Sequence, residues 1–252
     1  MAWAKESGHW YTPDGEPAYT IIGKNGKERS TNVKDAREKG LLPSVTTIIR
    51  CAASPALERW KAEQLLMAGL TLPRNQDESE KSWIYRVWQD SAEQGKKAAE
   101  HGSRIHAAIE GHFLGKAPEP DMWDYVKGAT DVIRNEFGIL GWLPEKSFAD
   151  TTFGYGGKVD LHADGVVLDF KGKDGDLVGV ECYDEHYMQL AAYAQGLNML
   201  NARCGIVFVS RTDPGAVRMV LHTPEQTRRG WNMFCGLLSY WKATNRIGGC
   251  DG

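Results

Sequence analysis

Residues 156–173, GGKVDLHADGVVLDFKGK, alternate polar and apolar positions on either side of Asp164-Gly165. A period of two belongs to a strand with one buried face. Asp-Gly between two such runs is a strong signal for a tight hairpin. A chain carrying this stretch must build a β-hairpin here and cover it. Side chains at i and i+2 share a strand face, so Asp169 and Lys171 point one way and Phe170 the other. With the turn at Asp164-Gly165, Asp160 comes to about the level of Asp169. Two carboxylates and an ammonium then surround one point.

Burying such charges is costly unless they pair or hold a metal. Close carboxylates repel, and a divalent cation removes that cost. Oxygen ligands favour Mg2+ or Mn2+. The lysine stays available to position a water or to stabilise charge on a phosphate. This is the equipment of phosphodiester hydrolysis; a salt-bridged strand pair is the plainer alternative.

The rest of the chain supplies the layers around the hairpin. Residues 8–30 set aromatic and β-branched residues beside turn signals at Thr12–Gly15 and Lys24–Gly26, which predicts a hairpin or two. Pro43 introduces SVTTIIR, and Ser54-Pro55 opens a helix through ALERWKAEQLLMAGL. A polar connector, PRNQDESEK, leads to a long helix from about Trp83 to Leu114, closed by Pro118 and Pro120. Residues 121–140 predict a further helix ended by Gly141. From 145 to 171 the period is that of strands, and 184–201 is helical again. Residues 205–211 and 216–223 read as two strands joined at Thr212–Gly215, and 224–244 as an amphipathic helix before a Gly-rich tail. The expectation is a single domain over residues 1–252: an N-terminal hairpin region (1–45), a helical part (46–140), and a motif-bearing sheet with helices (141–252).

A length of 252 residues suffices for such a core, and 42% hydrophobic with 25% charged residues is ordinary for a globular domain. The net charge of −3 offers no bulk attraction for nucleic acid. Any such role falls to a local patch, or to a metal held among carboxylates. Cys51, Cys182, Cys204, Cys235 and Cys250 are scattered without a CxxC. They are expected to be free thiols in a reducing compartment, which argues against a disulfide frame, a structural zinc and an iron–sulfur cluster. The opening MAWAKESGHWYTPDG lacks the apolar run of a signal peptide. No stretch approaches the ~18 apolar residues of a membrane span. A soluble, cytoplasmic protein is the expectation.

Two helical pairs add to the hairpin. His106 and Glu110, in GSRIHAAIEGHF, stand at i, i+4 on one face, and an imidazole suits Mn2+. Gln189 and Tyr193, in HYMQLAAYAQGL, repeat that spacing. Either pair by itself reads first as a satisfied helix edge.

In order, G-x-x-x-H-x-x-x-E (Gly102, His106, Glu110), G-x-x-D (Gly157, Asp160), D-x-K (Asp169, Lys171) and Q-x-x-x-Y (Gln189, Tyr193) resemble the PD-(D/E)XK nuclease superfamily, in its RecB-like exonuclease branch. LLPSVTTIIR with PALERW is similar to the N-terminal part of phage and prophage exonucleases and of the mitochondrial genome maintenance exonuclease. The resemblance spans about residues 40–211. It implies an α/β fold with a restriction-endonuclease-like core, a central mixed sheet flanked by helices, and a helical N-terminal part.

The resemblance also implies roles. Asp160 and Asp169 match the metal-binding carboxylates, the Phe170 carbonyl a backbone ligand, Lys171 the catalytic lysine and His106 the histidine ligand. Glu110 would support the metal through water or orient Lys171, and Gln189 and Tyr193 would brace the site and touch the DNA strand. Val159 stands where the superfamily usually has Pro, and the four-cysteine cluster of some relatives is absent, so no iron–sulfur cluster is carried over. Lys158, Lys173 and Arg211 fall close to motif positions and are candidates for phosphate contacts. Tyr155, in FGYGG, is a candidate for stacking on a terminal base, or equally for the core.

The implied activity is a Mg2+- or Mn2+-dependent exonuclease on linear DNA, acting from its ends. The implied setting is phage or prophage recombination or degradation, in the cytoplasm of a bacterial host or phage-infected cell, with a recombination partner protein as a further candidate. One rival is a catalytically idle nucleic-acid-binding or assembly protein of the same fold, but a retired site has no physical reason to keep clustered charges. Another is a glycosidase using the two carboxylates, although the adjoining lysine fits phosphate better than sugar. Polarity, strand preference, processivity and oligomeric state are not written in these motifs.

Overall fold

The computed structural model describes residues 8–52 and 55–247. Ser54 of the expected helix opening, Cys250, the end of the Gly-rich tail and residues 1–7 lie outside the described residues. The chain forms two compact units: one of residues up to Ala52 together with those from Ala108 onward, the other of Ala53–Ala107.

In chain order the elements begin with β1 (Trp10–Tyr11), β2 (Thr20–Ile22), β3 (Glu28–Ser30), α1 (Val33–Lys39), β4 (Leu42–Pro43) and α2 (Val45–Ile49). There follow α3 (Pro55–Thr71), α4 (Glu80–Phe113), a 3-10 turn at Pro120–Met122 and α5 (Trp123–Phe137). The remainder is β5 (Leu143–Asp150), β6 (Tyr155–Ala163), β7 (Val166–Lys173), α6 (Asp184–Gly196), β8 (Arg203–Ser210), β9 (Val217–Leu221) and α7 (Pro224–Asn245).

Strands β5 to β9 form one five-stranded sheet in chain order. β5, β6 and β7 are an antiparallel meander, α6 crosses over to make β8 parallel to β7, and β9 returns antiparallel. Every residue of β8 after Arg203 is buried, as expected for a strand covered on both faces. α5 packs against β8 and β9, while α6 packs against α7. α7 contributes Phe234, Leu238 and Trp241 to the core, the i, i+4, i+7 stripe of an amphipathic helix. α6 is buried from Met188 to Ala194, so Gln189 and Tyr193 lie inside the protein.

The structure differs from the sequence reading in four places. Of the hairpins expected over 8–30, β2–β3 forms as a ladder and the turn at Thr12–Gly15 closes through a Tyr11–Pro17 bridge and the Ala18 N–H donating to the Trp10 carbonyl; β1 pairs in addition with β4. Trp10 and Tyr11 are 1% and 2% exposed, so this pairing adds a buried aromatic pair to the core. α1 is an unanticipated helix, started by the Asn32–Asp35 capping box and ended by Gly40. α5 ends at Gly138, whose N–H donates to the Arg134 carbonyl, and not at Gly141. α6 ends at Gly196, with Leu197 as its cap, short of 201.

The second unit comprises α3 and most of α4. Its connector is tied down: Trp83 Nε1 donates to the Leu72 carbonyl at 2.7 Å, and Arg86 grips Glu78 through two hydrogen bonds at 3.0 and 2.7 Å. Among the described residues no helix is long and apolar enough to cross a membrane, and Cys51, Cys182, Cys204 and Cys235 are free thiols.

Candidate active site

The site lies where the central hairpin opens. β6 and β7 pair from Ala163–Val166 to Leu161–Leu168 and then stop. β6 stays paired with β5 as far as Tyr155, and β7 with β8 as far as Lys173. Asp160 and Asp169 are therefore the first residues past the last pair, side by side where the ladder opens. The Phe170 N–H, freed from strand pairing on that side, donates to Asp160 Oδ2 at 2.9 Å.

Asp169 is 1% exposed. Its Oδ1 accepts from Gln189 Nε2 at 2.7 Å, and the same nitrogen donates to the Tyr193 hydroxyl at 3.0 Å. Its Oδ2 meets the Lys171 ammonium at 2.5 Å as an ion pair. Burial works against the Lys171 charge, but Asp169 and Asp160 outweigh it and hold the ammonium above the usual lysine range. Burial, then Asp169 and Asp160, push the Tyr193 hydroxyl well above the usual tyrosine range, so it remains a neutral partner for Gln189.

The glycine of the G-x-x-D motif has a packing reason. A Cβ on Gly157 would lie 2.8 Å from the Phe148 ring and 2.9 Å from the Tyr193 ring. Real side chains do not approach that closely, so Gly157 lets the Tyr193 ring lie directly on β6.

One residue near this point carries no motif. Pro144 pairs with Leu161 and Lys146 with Val159, which sets Glu145 across from Asp160. A carboxylate oxygen of Glu145 and one of Asp160 lie within 4.8 Å of each other. Glu145 also forms an ion pair with Lys158. Its only sequence signal is its register on a strand fifteen residues upstream of Asp160, which is readable only once β5 and β6 are aligned.

The structure thus brings together Asp160, Asp169, Lys171, the Phe170 amide, Gln189, Tyr193 and Lys158. Several of the expected DNA contacts take other roles. Gln189 and Tyr193 are 7% and 4% exposed, so they reach Asp169 and not a strand in solvent; the expected DNA contact is corrected to a buried brace. Tyr155 is fully buried, with its hydroxyl donating to the Ala192 carbonyl and its ring against Phe148 and Phe234. It belongs to the core, which excludes the base-stacking alternative. Arg211 grips Asp174 through two hydrogen bonds at 2.7 and 2.8 Å, so its charge is already matched. Lys173 is half-buried at the end of β7, on the face that carries Asp169 and Lys171. Glu110 is half-buried in the last turns of α4, and His106 lies in the second unit.

The donor set suits a hard divalent cation. Asp160, Asp169 and Glu145 offer oxygen only. Among the described residues only the Lys171 ammonium meets the buried Asp169 Oδ2, and three clustered carboxylates against it and Lys158 leave a negative excess that a divalent cation would offset.

No protein-family model and no curated protein matches the chain. Among solved structures, a protein of Eubacterium rectale named provisionally as an exonuclease is similar at a TM-score of 0.43 and 11% identity, over 59% of this chain and 69% of its own. SSO0001 is similar at a TM-score of 0.32 and 17% identity, over 80% of each chain. The chemistry of the site stands on its own geometry.

Proposed function

We propose that the chain is a metal-dependent DNA exonuclease with a PD-(D/E)XK core of the RecB-like branch, acting as one nuclease domain. The observation that carries this reading is the opened hairpin, where Asp160, Asp169 and Lys171 meet and Gln189 clamps Asp169. Such a group of buried charges costs stability and is explained by chemistry on a charged substrate. The motif order Gly102–His106–Glu110, Gly157–Asp160, Asp169–Lys171, Gln189–Tyr193 supports the same branch.

In this reading Asp160, Asp169 and the Phe170 carbonyl hold Mg2+ or Mn2+, with His106 as the nitrogen ligand and Glu110 supporting through water. A cation bound there supplies Lewis-acid polarisation of the phosphate and a water of lowered pKa. Lys171, charged and one-third exposed, holds the attacking water or the charge that develops on the phosphoryl oxygens. Lys173 lies on the same strand face to hold the neighbouring phosphate. Gln189 acts at one remove, by fixing the Asp169 carboxylate. A role in phage or prophage DNA recombination or degradation, in a bacterial cytoplasm, goes with this assignment.

The test uses end-labelled linear DNA, single- and double-stranded, beside covalently closed circular duplex. With Mg2+ or Mn2+ the linear substrates should be reduced to short products, EDTA should stop this, and the closed circle should survive at the same enzyme concentration. Cleavage that persists in EDTA, or none with either metal, would overturn the nuclease reading. Rapid linearisation of the circle would make the enzyme an endonuclease.

Gln189→Ala removes a ligand's hydrogen-bond partner without touching a ligand. Loss of such a partner costs roughly 10–100-fold in metal affinity or activity. The expected result is that loss in a Mn2+ titration of cleavage, with metal-free DNA affinity unchanged. Equal loss of DNA affinity would return Gln189 to the strand-contact role that its burial argues against.

A further inference from the structure

Glu145, Asp160 and Asp169 occupy one row across β5, β6 and β7. Glu145 is across from Asp160 by the β5–β6 register, and Asp169 is level with Asp160 by the β6–β7 register. Neighbouring strands lie about 4.8 Å apart, and a carboxylate oxygen of Glu145 lies within 4.8 Å of one of Asp160, the spacing of two ligands around one ion.

The backbone of β5 is distorted at the residue that joins this row. Glu145 has φ 56, in the left-handed region, which costs a non-glycine residue about 1–2 kcal/mol. The pairs on either side, Pro144–Leu161 and Lys146–Val159, keep their register. The distortion is therefore confined to Glu145 and leaves the pairing of the strand intact. Asp169, 1% exposed, holds its Oδ2 against the Lys171 ammonium, with no hydrogen bond from any other group among the described residues.

Glu145 forms an ion pair with the Lys158 ammonium. Lys158 stands two residues before Asp160 on β6, on the same face. Its side chain is 38% exposed, so it has solvent to retreat to, while Glu145 is 18% exposed. Three carboxylates against Lys158 and Lys171 leave one negative charge. A divalent cation in place of Lys158 brings the row to neutrality.

On the nuclease reading above, we propose that Glu145 is a further ligand for the divalent cation, and that the Lys158 ammonium occupies the cation's place in its absence and is displaced when it binds. Lys158 is then a competitor of the metal, acting through Glu145. This is a different role from a lysine that only pairs with a surface acid or only holds a phosphate.

The test is Mn2+ binding to the full chain without DNA, by calorimetry, with a thermal melt of each variant as the fold control. Glu145→Gln should weaken Mn2+ binding about tenfold, the loss of one charged ligand. Lys158→Met should tighten it several-fold, the opposite sign. In the double variant the Lys158→Met gain should vanish, because the competitor has lost its partner; this coupling is read as a double-mutant cycle. A gain that survives in the Glu145→Gln background would mean that Lys158 acts only through its general field, which overturns the inference. Should Glu145→Gln fold poorly, Glu145→Asp keeps the charge but withdraws it from the row, and should still weaken binding. Asp169→Asn separates the two readings. Loss of Mn2+ binding in Asp169→Asn with none in Glu145→Gln removes Glu145 and leaves the nuclease site. Full Mn2+ binding in Asp169→Asn counts against the site itself.

Discussion

Asp169→Asn is expected to lose metal-dependent DNA cleavage by on the order of 10^3-fold or more while keeping its fold. The carboxylate is 1% exposed, so its two oxygens are wholly committed inside the protein: Oδ1 to the Gln189 amide and Oδ2 to the Lys171 ammonium. Asparagine has the same shape, and its oxygen can still accept from Gln189. What disappears is the negative charge, and an NH2 group now faces the ammonium. The donor–donor conflict costs about 1–3 kcal/mol of stability, within reach of a domain with roughly 5–15 kcal/mol. A bound cation contributes several kcal/mol to the transition state, and each 1.36 kcal/mol is tenfold in rate. Losing its hold therefore dominates the loss of stability. Single-turnover cleavage of linear duplex at saturating Mn2+ is the measurement, with circular dichroism as the fold control. A folded Asp169→Asn protein with near-parent turnover would remove Asp169 from the chemistry. Asp169→Ala is the weaker experiment, because it strands both Gln189 and Lys171 and mixes folding with catalysis.

The hairpin of that site was legible in the sequence because its signals are local. Alternation and one Asp-Gly turn suffice to bring Asp160 level with Asp169, and the pairs Leu161–Leu168 and Ala163–Val166 lie on that register. The same holds for β8, β9 and α7, whose periods and turn residues sit within a few residues of each other. What was not legible depended on contacts far along the chain. Glu145 enters the row only because β5 pairs with β6, and it sits in an ordinary Pro-Glu-Lys stretch. Tyr155 reads as either a surface stack or a core ring until α6 and α7 close over it. Trp10 keeps its local bond from Ala18 and also pairs with Pro43, a contact that no local turn signal gives. The Gln189–Tyr193 pair was visible as a helix face; that the face is buried follows from the packing of α6 between the sheet and α7, which no spacing reveals.

That packing makes the second large effect a stability one, at a residue outside every motif. Gly230 lies on α7 where it crosses α6. A Cβ added there would stand 2.2 Å from the Tyr187 carbonyl oxygen, 2.4 Å from its carbonyl carbon and 2.9 Å from the Met188 nitrogen. These are main-chain atoms of a helix, so no rotamer change relieves the clash; the two helices must separate. They are pinned on either side of the contact. Gln226 Nε2 donates to the Tyr187 hydroxyl at 3.1 Å, and Arg229 pairs with Asp184 at 3.0 Å. Overpacking a tight contact costs about 1–3 kcal/mol, and more when the neighbour cannot move. Gly230→Ala should therefore lose about 3 kcal/mol. For a chain of this size, at about 2–4 °C per kcal/mol, that is a fall in Tm of roughly 6–12 °C. The damage should also reach the chemistry. Gln189 is two residues beyond Tyr187 on α6, and its amide holds Asp169 at 2.7 Å. A displacement of about 1 Å at a distance from the reacting atoms can cost on the order of 10^2-fold in rate. Cleavage should thus be impaired even well below the melting temperature. Gly236→Ala is the control on the same helix, since its added Cβ would meet nothing within 4 Å. There alanine should stabilise the helix by about 0.5–1 kcal/mol. Opposite shifts in Tm from two Gly→Ala changes on one helix would tie the loss to the α6–α7 contact. A Gly230→Ala protein that melts with the parent would show that the two helices are not in the close contact on which the Gln189 clamp depends.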